Sequence, residues 1–468
     1  MHDEAVGARG SARAPTSARA KGLTRDLVSS RLSGSRGVAA GVQVRVAPGR
    51  RTRGAEPLCP PSKPRHARAV ALSDAGRVRW QTPLPSGGPV EAQVGPMTNG
   101  RLAYFFEGGA VTALDQSDGR QAWQVGPGQP GATVYGAWLW HGALVVFDEL
   151  IEQHGYSRIE SLDASTGKVH WSDDVSTYRV LGIPVMTSDG YLTFTTARGP
   201  VETLAVSDGK LVWTAPAYNE YVGAIAAAGP DVFVSAGGRV VAHRGYDGRQ
   251  VWSLALPGIA NPAFLVVDGM VLVTSGVGGG GQSTAMFALR PATGHVLWRL
   301  DVGSSFNPYS LLAWGPNGLA FQGYHLYLVD PATGRVDWVD SRVPGSVAMS
   351  ASFPGVVVHT QATSDNSANW VLLQAQATRT GRLLWEKELA EPAGLTLVAA
   401  ARFVAISSGA PPVDGPVTLA AYNLSSGHSL WITRVPAFVQ SSMVLPANGQ
   451  LLVDAADLTT GCFQAAAK

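Results

Sequence analysis

Apolar residues along most of the chain occur in short runs that are separated by Gly, Pro, Asn, Asp and Ser. After Trp298, for example, the runs YSLLAW and LAFQGY are separated by GPNG, and the next run, HLYLV, is followed by DPATG and then VDW. Short apolar runs bounded by turn residues are typical of β-strands, and no segment shows a convincing helical period. The pattern predicts an all-β protein with four short strands in each unit.

The unit repeats along the chain. The stretch LVDPATGRVDW ends at Trp338, and eight similar stretches also place a glycine four residues before a tryptophan. With 55 Gly and 13 Trp in 468 residues, chance would supply only about one or two such matches, so the spacing indicates a structural repeat. The nine tryptophans, 39 to 48 residues apart, are Trp80, Trp123, Trp171, Trp213, Trp252, Trp298, Trp338, Trp385 and Trp431.

A four-stranded sheet in each repeat can bury both faces only against its neighbours, which predicts a β-propeller of four-stranded antiparallel blades. In each hairpin, Gly supplies the positive φ of a tight turn, and we interpret the tryptophan as a structural docking residue between blades. Eight intervals between tryptophans make eight complete blades. The first hairpin and the last strands can pair into a composite ninth, so the repeat arithmetic favours nine.

Charge and composition divide the chain in two. Residues 1–68 carry 14 Lys+Arg and 4 Asp+Glu, a balance of +10, against −8 for the remainder. We expect residues 1–66 to be a disordered basic leader and residues 67–468 to form the propeller, closed by pairing of its N- and C-terminal strands. The leader lacks interleaved aromatics, so no nucleic-acid partner is expected. No clear signal peptide and no membrane-spanning apolar stretch are found.

The two cysteines, Cys59 and Cys462, lie just outside the first and last repeats. A closed ring would bring these ends together, so a disulfide between them is sterically conceivable and would imply an oxidising compartment. Two unrelated free thiols are the alternative.

The fullest copies of the motif, SLDASTGKVHW and LVDPATGRVDW, follow Ala-x-Asp-x-x-Thr-Gly-x-x-x-Trp at most positions. This pattern resembles the tryptophan-docking motif of the pyrroloquinoline-quinone-type β-propeller repeat family, over about residues 69–468. The family contains quinoprotein alcohol dehydrogenases and a non-enzymatic propeller of the bacterial outer-membrane barrel-assembly machinery. Its members usually have eight blades, so we predict eight blades, with nine as the alternative that the repeat arithmetic favours. The resemblance implies a bacterial, periplasmic or cell-surface protein, which we expect to be a monomer.

The dehydrogenase branch of that family typically holds its quinone beneath a disulfide between adjacent cysteines, beside a calcium or lanthanide ion. This chain has no adjacent cysteines and no matching Glu/Asn/Asp set, so we expect no cofactor, no metal and no catalytic residues. Pyrroloquinoline quinone with calcium in a degenerate site is the alternative. The densest polar group, Asp148, Glu149, Glu152 and His154, is interpreted as a solvated loop rather than a metal site.

Aromatic and amide residues recur in the segments that follow the docking tryptophans and lead into the innermost strands. In a propeller these segments converge near the axis, so they predict a funnel that grips a protein or peptide partner. A carbohydrate-binding surface and simple packing of the inner strands are the other interpretations. The funnel candidates are Tyr178, Tyr218, Tyr221, Asn261, Phe306, Asn307, Tyr309 and Phe438.

Overall fold

The computed structural model places 23 segments of the chain, all within the unit Cys59–Lys468. The described residues are 67–85, 94–107, 109–126, 132–150, 156–174, 180–196, 200–215, 222–236, 238–256, 261–267, 269–276, 284–303, 311–315, 318–322, 325–340, 347–353, 355–362, 370–390, 396–399, 403–408, 417–435, 438–444 and 450–456.

These residues form nine four-stranded antiparallel sheets, which are the blades of a β-propeller. We number eight blades along the chain and call the sheet that joins its two ends the closing blade. The closing blade contains β1 (Ala67–Leu72), β2 (Val78–Leu84), β35 (Phe438–Val444) and β36 (Leu451–Ala456); blade 1 contains β3 (Met97–Thr98), β4 (Leu102–Glu107), β5 (Ala110–Asp115) and β6 (Gln121–Val125); blade 2 contains β7 (Ala132–Trp140), β8 (Ala143–Leu150), β9 (Tyr156–Asp163) and β10 (Val169–Asp174); blade 3 contains β11 (Val180–Met186), β12 (Tyr191–Thr196), β13 (Val201–Ala205) and β14 (Leu211–Ala215).

The remaining blades repeat the arrangement. Blade 4 contains β15 (Val222–Ala228), β16 (Asp231–Ala236), β17 (Arg239–Arg244) and β18 (Gln250–Ala255); blade 5 contains β19 (Asn261–Val267), β20 (Met270–Gly276), β21 (Thr284–Leu289) and β22 (Val296–Gly303); blade 6 contains β23 (Leu311–Gly315), β24 (Gly318–Gln322), β25 (Leu326–Val329) and β26 (Val336–Asp340); blade 7 contains β27 (Val347–Phe353), β28 (Val356–Ala362), β29 (Trp370–Ala377) and β30 (Leu383–Ala390); blade 8 contains β31 (Thr396–Ala399), β32 (Phe403–Ser408), β33 (Val417–Asn423) and β34 (Ser429–Val435).

Each numbered blade is a simple meander in which successive strands pair. The closing blade has the order β2-β1-β36-β35, so two strands from each end of the described chain complete it. Its central pair runs from Ala67↔Ala456 to Leu72↔Leu451. The predicted all-β propeller is confirmed. It has nine blades, whereas eight are usual in the family that the sequence motif resembles.

The hairpin between the third and fourth strands shows why the repeated motif folds as it does. In blade 6 the backbone N–H of Gly334 donates to the carbonyl of Asp330, which closes the turn, and the Asp330 carboxylate accepts the N–H of Ala332. Gly334 has φ of 70°, which the missing Cβ of glycine allows at little cost. A register shift follows at Leu328/Val329, just before Trp338 pairs with Leu328. The turn residues therefore fix the register of the tryptophan.

The core lies between blades rather than within one blade. In β4, five of six residues are buried, because each face of a central strand is covered by a neighbouring sheet. Tyr104 and Phe106 of β4 pack with Val146 and Leu162 of blade 2 in one such interface. Adjacent blades also approach through their first strands, as β15 does to β19 and β23 to β27, so the first strands surround the axis and the fourth strands lie at the periphery.

Candidate functional site

Each of the nine repeat tryptophans contacts the next blade. The indole N–H donates to a backbone carbonyl in the turn between the third and fourth strands of that blade. Trp431 of blade 8 donates to Asp74 of the closing blade, so the series of contacts runs around the whole ring. The nine Nε1 to O pairs are Trp80–Gln116 (2.9 Å), Trp123–Ala164 (3.1 Å), Trp171–Val206 (2.7 Å), Trp213–Gly245 (2.6 Å), Trp252–Pro291 (2.6 Å), Trp298–Pro331 (2.7 Å), Trp338–Thr378 (2.7 Å), Trp385–Leu424 (2.8 Å) and Trp431–Asp74 (2.9 Å).

The turn glycine lies directly beneath the indole of the preceding blade. A Cβ placed on Gly334 would stand 2.5 Å from the Trp298 ring, well inside van der Waals contact. Position 334 therefore needs glycine for two reasons, the positive φ and the close approach of the ring. The same relation holds at Gly76, Gly119, Gly167, Gly209, Gly248, Gly294, Gly381 and Gly427.

Most of the predicted funnel residues lie outside the described segments. Asn261 is the first residue of β19 and Phe438 the first of β35, which places both at the start of an innermost strand. The other six, together with Cys59 and Cys462, belong to segments that the structure does not describe: Tyr178, Tyr218, Tyr221, Phe306, Asn307 and Tyr309. The funnel and the disulfide therefore stay predictions.

The described part of the inner surface contains aromatic residues that the sequence interpretation missed. Tyr135 and Trp138 of β7 are half-buried, and they pack with Met186 of β11 against the core between blades 2 and 3. On the same innermost strand β11, Ile183 is 57% exposed. We call these four residues the inner apolar wall. The apolar stretch VYGAWLW at 134–140 indicates a strand, but an apolar run alone does not show whether that strand lies next to the axis.

Trp140 adds a tenth contact of the docking kind on β7. Its indole Nε1 is 3.3 Å from the carbonyl of Ser188 in blade 3, and a Cβ on Gly190 would stand 2.3 Å from the ring. The ring also stacks on His141, with centroids 4.4 Å apart and planes 6° from parallel. Blades 2 and 3 are therefore joined by an inner tryptophan as well as by Trp171 at the periphery.

Asp148 corrects the solvated-loop interpretation. It lies in β8, is 5% exposed, and pairs across the sheet with Arg158 of β9, which in turn pairs with Asp174 of β10. Arg158 Nη2 is 3.3 Å from Asp148 Oδ2 and 3.0 Å from Glu160 Oε2. The sequence interpretation was wrong for Asp148, because the cationic partner is supplied by the next strand. Glu152 and His154 lie outside the described residues.

Burial dominates the electrostatics of this cluster. It raises the pKa of Asp148 to about 6, against the lowering effect of Arg158, and Glu160 adds to the rise. Between blades 2 and 3, burial raises the pKa of Asp173 on β10, and the charge of Asp174 adds to the rise. Burial likewise raises the pKa of Glu202 on β13, with a further contribution from Asp173. Carboxylates near the ends of β8, β10 and β13 are thus held in sites that favour their protonated form.

Two other buried carboxylates meet neutral or acidic partners. Gln376 of β29 donates its side-chain Nε2–H to Asp340 Oδ2 at the end of β26, across the interface between blades 6 and 7. Asp454 of β36 is 3% exposed, and its burial, together with the charge of Glu107 of β4 across the interface between the closing blade and blade 1, raises the pKa of Asp454 well above its ordinary value. Buried polar groups therefore occur at several blade interfaces, each with its own pairing.

Among the described residues, no group of three or more His, Cys, Asp and Glu side chains could hold a metal ion. The chain also has no adjacent cysteine pair. The described residues also contain no helix that is long and apolar enough to span a membrane.

Comparisons with known proteins find a related sequence and several solved structures of similar fold. Outer membrane protein assembly factor BamB of Yersinia pestis is 25% identical over 248 residues, which are 48% of this chain and 61% of that protein. The crystal structure of BamB from Moraxella catarrhalis matches with 16% identity and a TM-score of 0.47, covering 70% of this chain and 99% of that one. A quinohemoprotein alcohol dehydrogenase from Pseudomonas putida matches with 16% identity and a TM-score of 0.43, covering 81% and 77%.

Neither structural likeness carries an argument about function, since propellers of unrelated activity share this architecture. The family comparison is broader. A family model described as outer membrane protein assembly factor BamB matches residues 24–181, 155–310 and 268–417, which together extend over most of the 468 residues. The chain therefore belongs to the family of outer membrane protein assembly factor BamB.

Proposed function

We propose that the protein is a non-catalytic propeller scaffold that binds a protein or peptide partner through its central funnel, and that the nine repeat tryptophans serve to dock its blades. Membership of the BamB family supports a role in the assembly of outer-membrane proteins. The observation that carries the binding proposal is the inner apolar wall: Ile183 is 57% exposed on the innermost strand β11, and the half-buried aromatic residues lie on β7, the innermost strand of the neighbouring blade.

The inner apolar wall suits an extended peptide with alternating apolar residues. Tyr135 and Trp138 present flat, amphipathic surfaces that bind apolar side chains with little loss of conformational entropy. Outer-membrane β-strands are about ten residues long and alternate apolar with polar residues. A strand of that kind would place every second side chain against the wall and leave its polar residues facing water.

The proposal is tested with a labelled ten-residue alternating peptide and a scrambled peptide of the same composition, using fluorescence anisotropy on the full chain. We expect the alternating peptide to bind about tenfold more tightly. Ile183→Glu removes one apolar contact and introduces a charge, so it should weaken binding by about tenfold, which corresponds to ~1.4 kcal/mol.

Ile432→Glu is the matched control. Ile432 is 62% exposed, but it lies on the peripheral strand β34, so its substitution should leave the dissociation constant unchanged. Equal affinity for the two peptides, or equal effects of the two substitutions, would contradict binding at the inner apolar wall.

The enzymatic alternative is tested in parallel. Pyrroloquinoline quinone with calcium is titrated calorimetrically into the same protein, followed by a dye-linked assay of alcohol oxidation. Saturable binding with turnover would replace the scaffold proposal with a dehydrogenase.

A further inference from the structure

The nine innermost strands carry no charged residue. They contain 55 described residues, and none of these is Asp, Glu, Lys, Arg or His, although Asp, Glu, Lys and Arg make up 15% of the chain. Charged residues do occur in each of the other three strand positions of the blades, so their absence is specific to the strands that surround the axis. We call these strands the axial wall: β3, β7, β11, β15, β19, β23, β27, β31 and β35.

Burial does not account for this absence. In blade 5, Leu272 of the second strand is fully buried, whereas Leu265, its pairing partner on the innermost strand, is only half-buried. The second strands nevertheless contain carboxylates that are at most 5% exposed, namely Asp148, Asp231 and Asp454. Since the more deeply buried strands tolerate charge, packing alone does not explain why the axial wall is neutral.

Each innermost strand also has one free edge. The strand pairs with the second strand of its blade and ends the sheet, so its other edge faces no paired strand among the described residues. Backbone N–H and C=O groups recur along such an edge and can pair with an added strand. The axial wall therefore combines backbone hydrogen-bonding groups with uncharged side chains.

Irregular pairing exposes more of this backbone. In β11 the register shifts between Leu181 and Val185. The three residues between them stand opposite Phe194, and the central one is Ile183, which is 57% exposed. A bulge redirects its side chain and leaves backbone groups outside the ladder. Register shifts occur in six of the nine innermost strands: β7, β11, β15, β23, β27 and β35.

The chemistry of the axial wall determines what it can hold. A charged side chain that enters a neutral and largely apolar surface loses hydration and gains no ion pair, whatever its sign. A lipid chain would bury apolar area but would leave the strand edges without hydrogen-bond partners. An extended peptide with uncharged side chains matches both the apolar side chains and the backbone groups.

We propose that the axial wall is a charge filter, which binds an extended peptide segment whose side chains are uncharged and excludes lysine and glutamate alike. The inference rests on the proposed function and adds the class of peptide that the funnel accepts. In that class, apolar residues alternate with neutral polar residues such as threonine.

The test compares three labelled ten-residue peptides by fluorescence anisotropy on the full chain. They share their apolar residues and differ at the two central polar positions, which are threonine, lysine or glutamate. The measurement is made at about 0.5 M salt, where charges more than about 5 Å apart are largely screened. We expect the lysine and glutamate peptides to bind equally, and each about tenfold more weakly than the threonine peptide.

A carboxylate placed on the axial wall should reverse the preference. Ile183→Glu should bind the lysine peptide about three- to fivefold more tightly than the wild type does, and the threonine peptide more weakly. Ile183→Lys with the glutamate peptide is the second variant and should show the same gain. Ile432→Glu, on the peripheral strand β34, is the matched control and should leave the order of the three peptides unchanged.

N-methylation of alternate residues in the threonine peptide tests the strand edges. The modification removes backbone donors without adding charge, so binding should fall by at least about tenfold. Unchanged binding would mean that the wall takes apolar chains in general, a lipid chain among them, and would overturn the assignment to a peptide.

The outcomes separate the charge filter from the proposed function. If no peptide binds, binding in the funnel is itself wrong, and the charge filter is wrong with it. If the threonine peptide binds but the charged peptides bind equally well, or only one sign is excluded, the funnel binds peptides and the charge filter alone is overturned.

Discussion

Replacing Trp123 and Trp385 by phenylalanine should cost different amounts of stability, although the two sites look alike. Each tryptophan is 8% exposed and lies beside a tyrosine, with ring centroids 5.8 Å from Tyr104 and 6.4 Å from Tyr422 respectively. The difference lies in the carbonyl that accepts the indole N–H. Because surroundings and burial match, the shared loss of ring area should nearly cancel in the comparison.

The carbonyl of Ala164 accepts two hydrogen bonds, from Trp123 Nε1 at 3.1 Å and from the Tyr104 hydroxyl at 2.9 Å. Burial raises the pKa of Tyr104 to about 12, so the hydroxyl remains a neutral donor at ordinary pH. After Trp123→Phe this carbonyl keeps one partner. We expect a loss of about 1–2 kcal/mol, from the smaller ring and one modest hydrogen bond.

Among the described residues, the carbonyl of Leu424 accepts a hydrogen bond from Trp385 Nε1 at 2.8 Å. Trp385→Phe leaves it buried without that donor, which adds the desolvation cost of an unsatisfied group, about 1–3 kcal/mol. The free energy of unfolding should therefore fall by about 2–5 kcal/mol. The measurement is urea denaturation with linear extrapolation, supported by calorimetric melting of the same samples.

Tyr104→Phe provides the internal check, because it removes the second donor to Ala164. In the Trp123→Phe background, Tyr104→Phe should cost about 1–3 kcal/mol more than it does in the wild type. Only the double variant leaves the Ala164 carbonyl without either donor. Equal losses for Trp123→Phe and Trp385→Phe, or additive losses in the double variant, would refute the reasoning.

Two further perturbations test the turn and the charged cluster. Gly334→Ala should cost about 2–5 kcal/mol, from strain at positive φ and from the clash with Trp298. Gly269→Ala, at φ of 72° with no atom within 4 Å of the added Cβ, should cost only the strain of about 1–2 kcal/mol in the same denaturation assay. A pKa of about 6 for Asp148 means that its burial costs stability increasingly as pH rises from about 4 to 6. Asp148→Asn should therefore gain about 3 kcal/mol relative to wild type between pH 4 and 7, against the loss of its pairing with Arg158, and a pH-independent difference would contradict this.

The sequence was most informative where local chemistry decides the structure. The Asp/Thr/Gly turn and the tryptophan four residues after the glycine recur in one register, so the hairpins, the blades and their arrangement in a ring could be predicted. Counting favoured a ninth blade, because the first hairpin and the last strands were left over, whereas the usual number in the resembled family favoured eight. The contact between Trp431 and the turn at Asp74 is the corresponding observation in the structure.

The candidate site was harder to predict, because its residues come from strands that meet only in the folded chain. Asp148 stands in an acidic stretch that resembles a loop, and its partner Arg158 becomes visible only once β8 and β9 are in register. Asp454 and Glu107 have no local signal at all. The apolar run that contains Trp138 was clear, but its place on an innermost strand depends on β7 being the first strand of a blade.

The register of the closing pair has a mechanical consequence. Ala67, where β1 begins, lies directly opposite Ala456, where β36 ends, so the two ends of the described chain leave the ring side by side. Force applied between them would load the backbone hydrogen bonds one pair after another, as in a zipper, instead of all at once in shear. The ring is therefore weakest against tension at its own ends, and under load it should open at β1 and β36 while the tryptophan contacts of the other blades still hold.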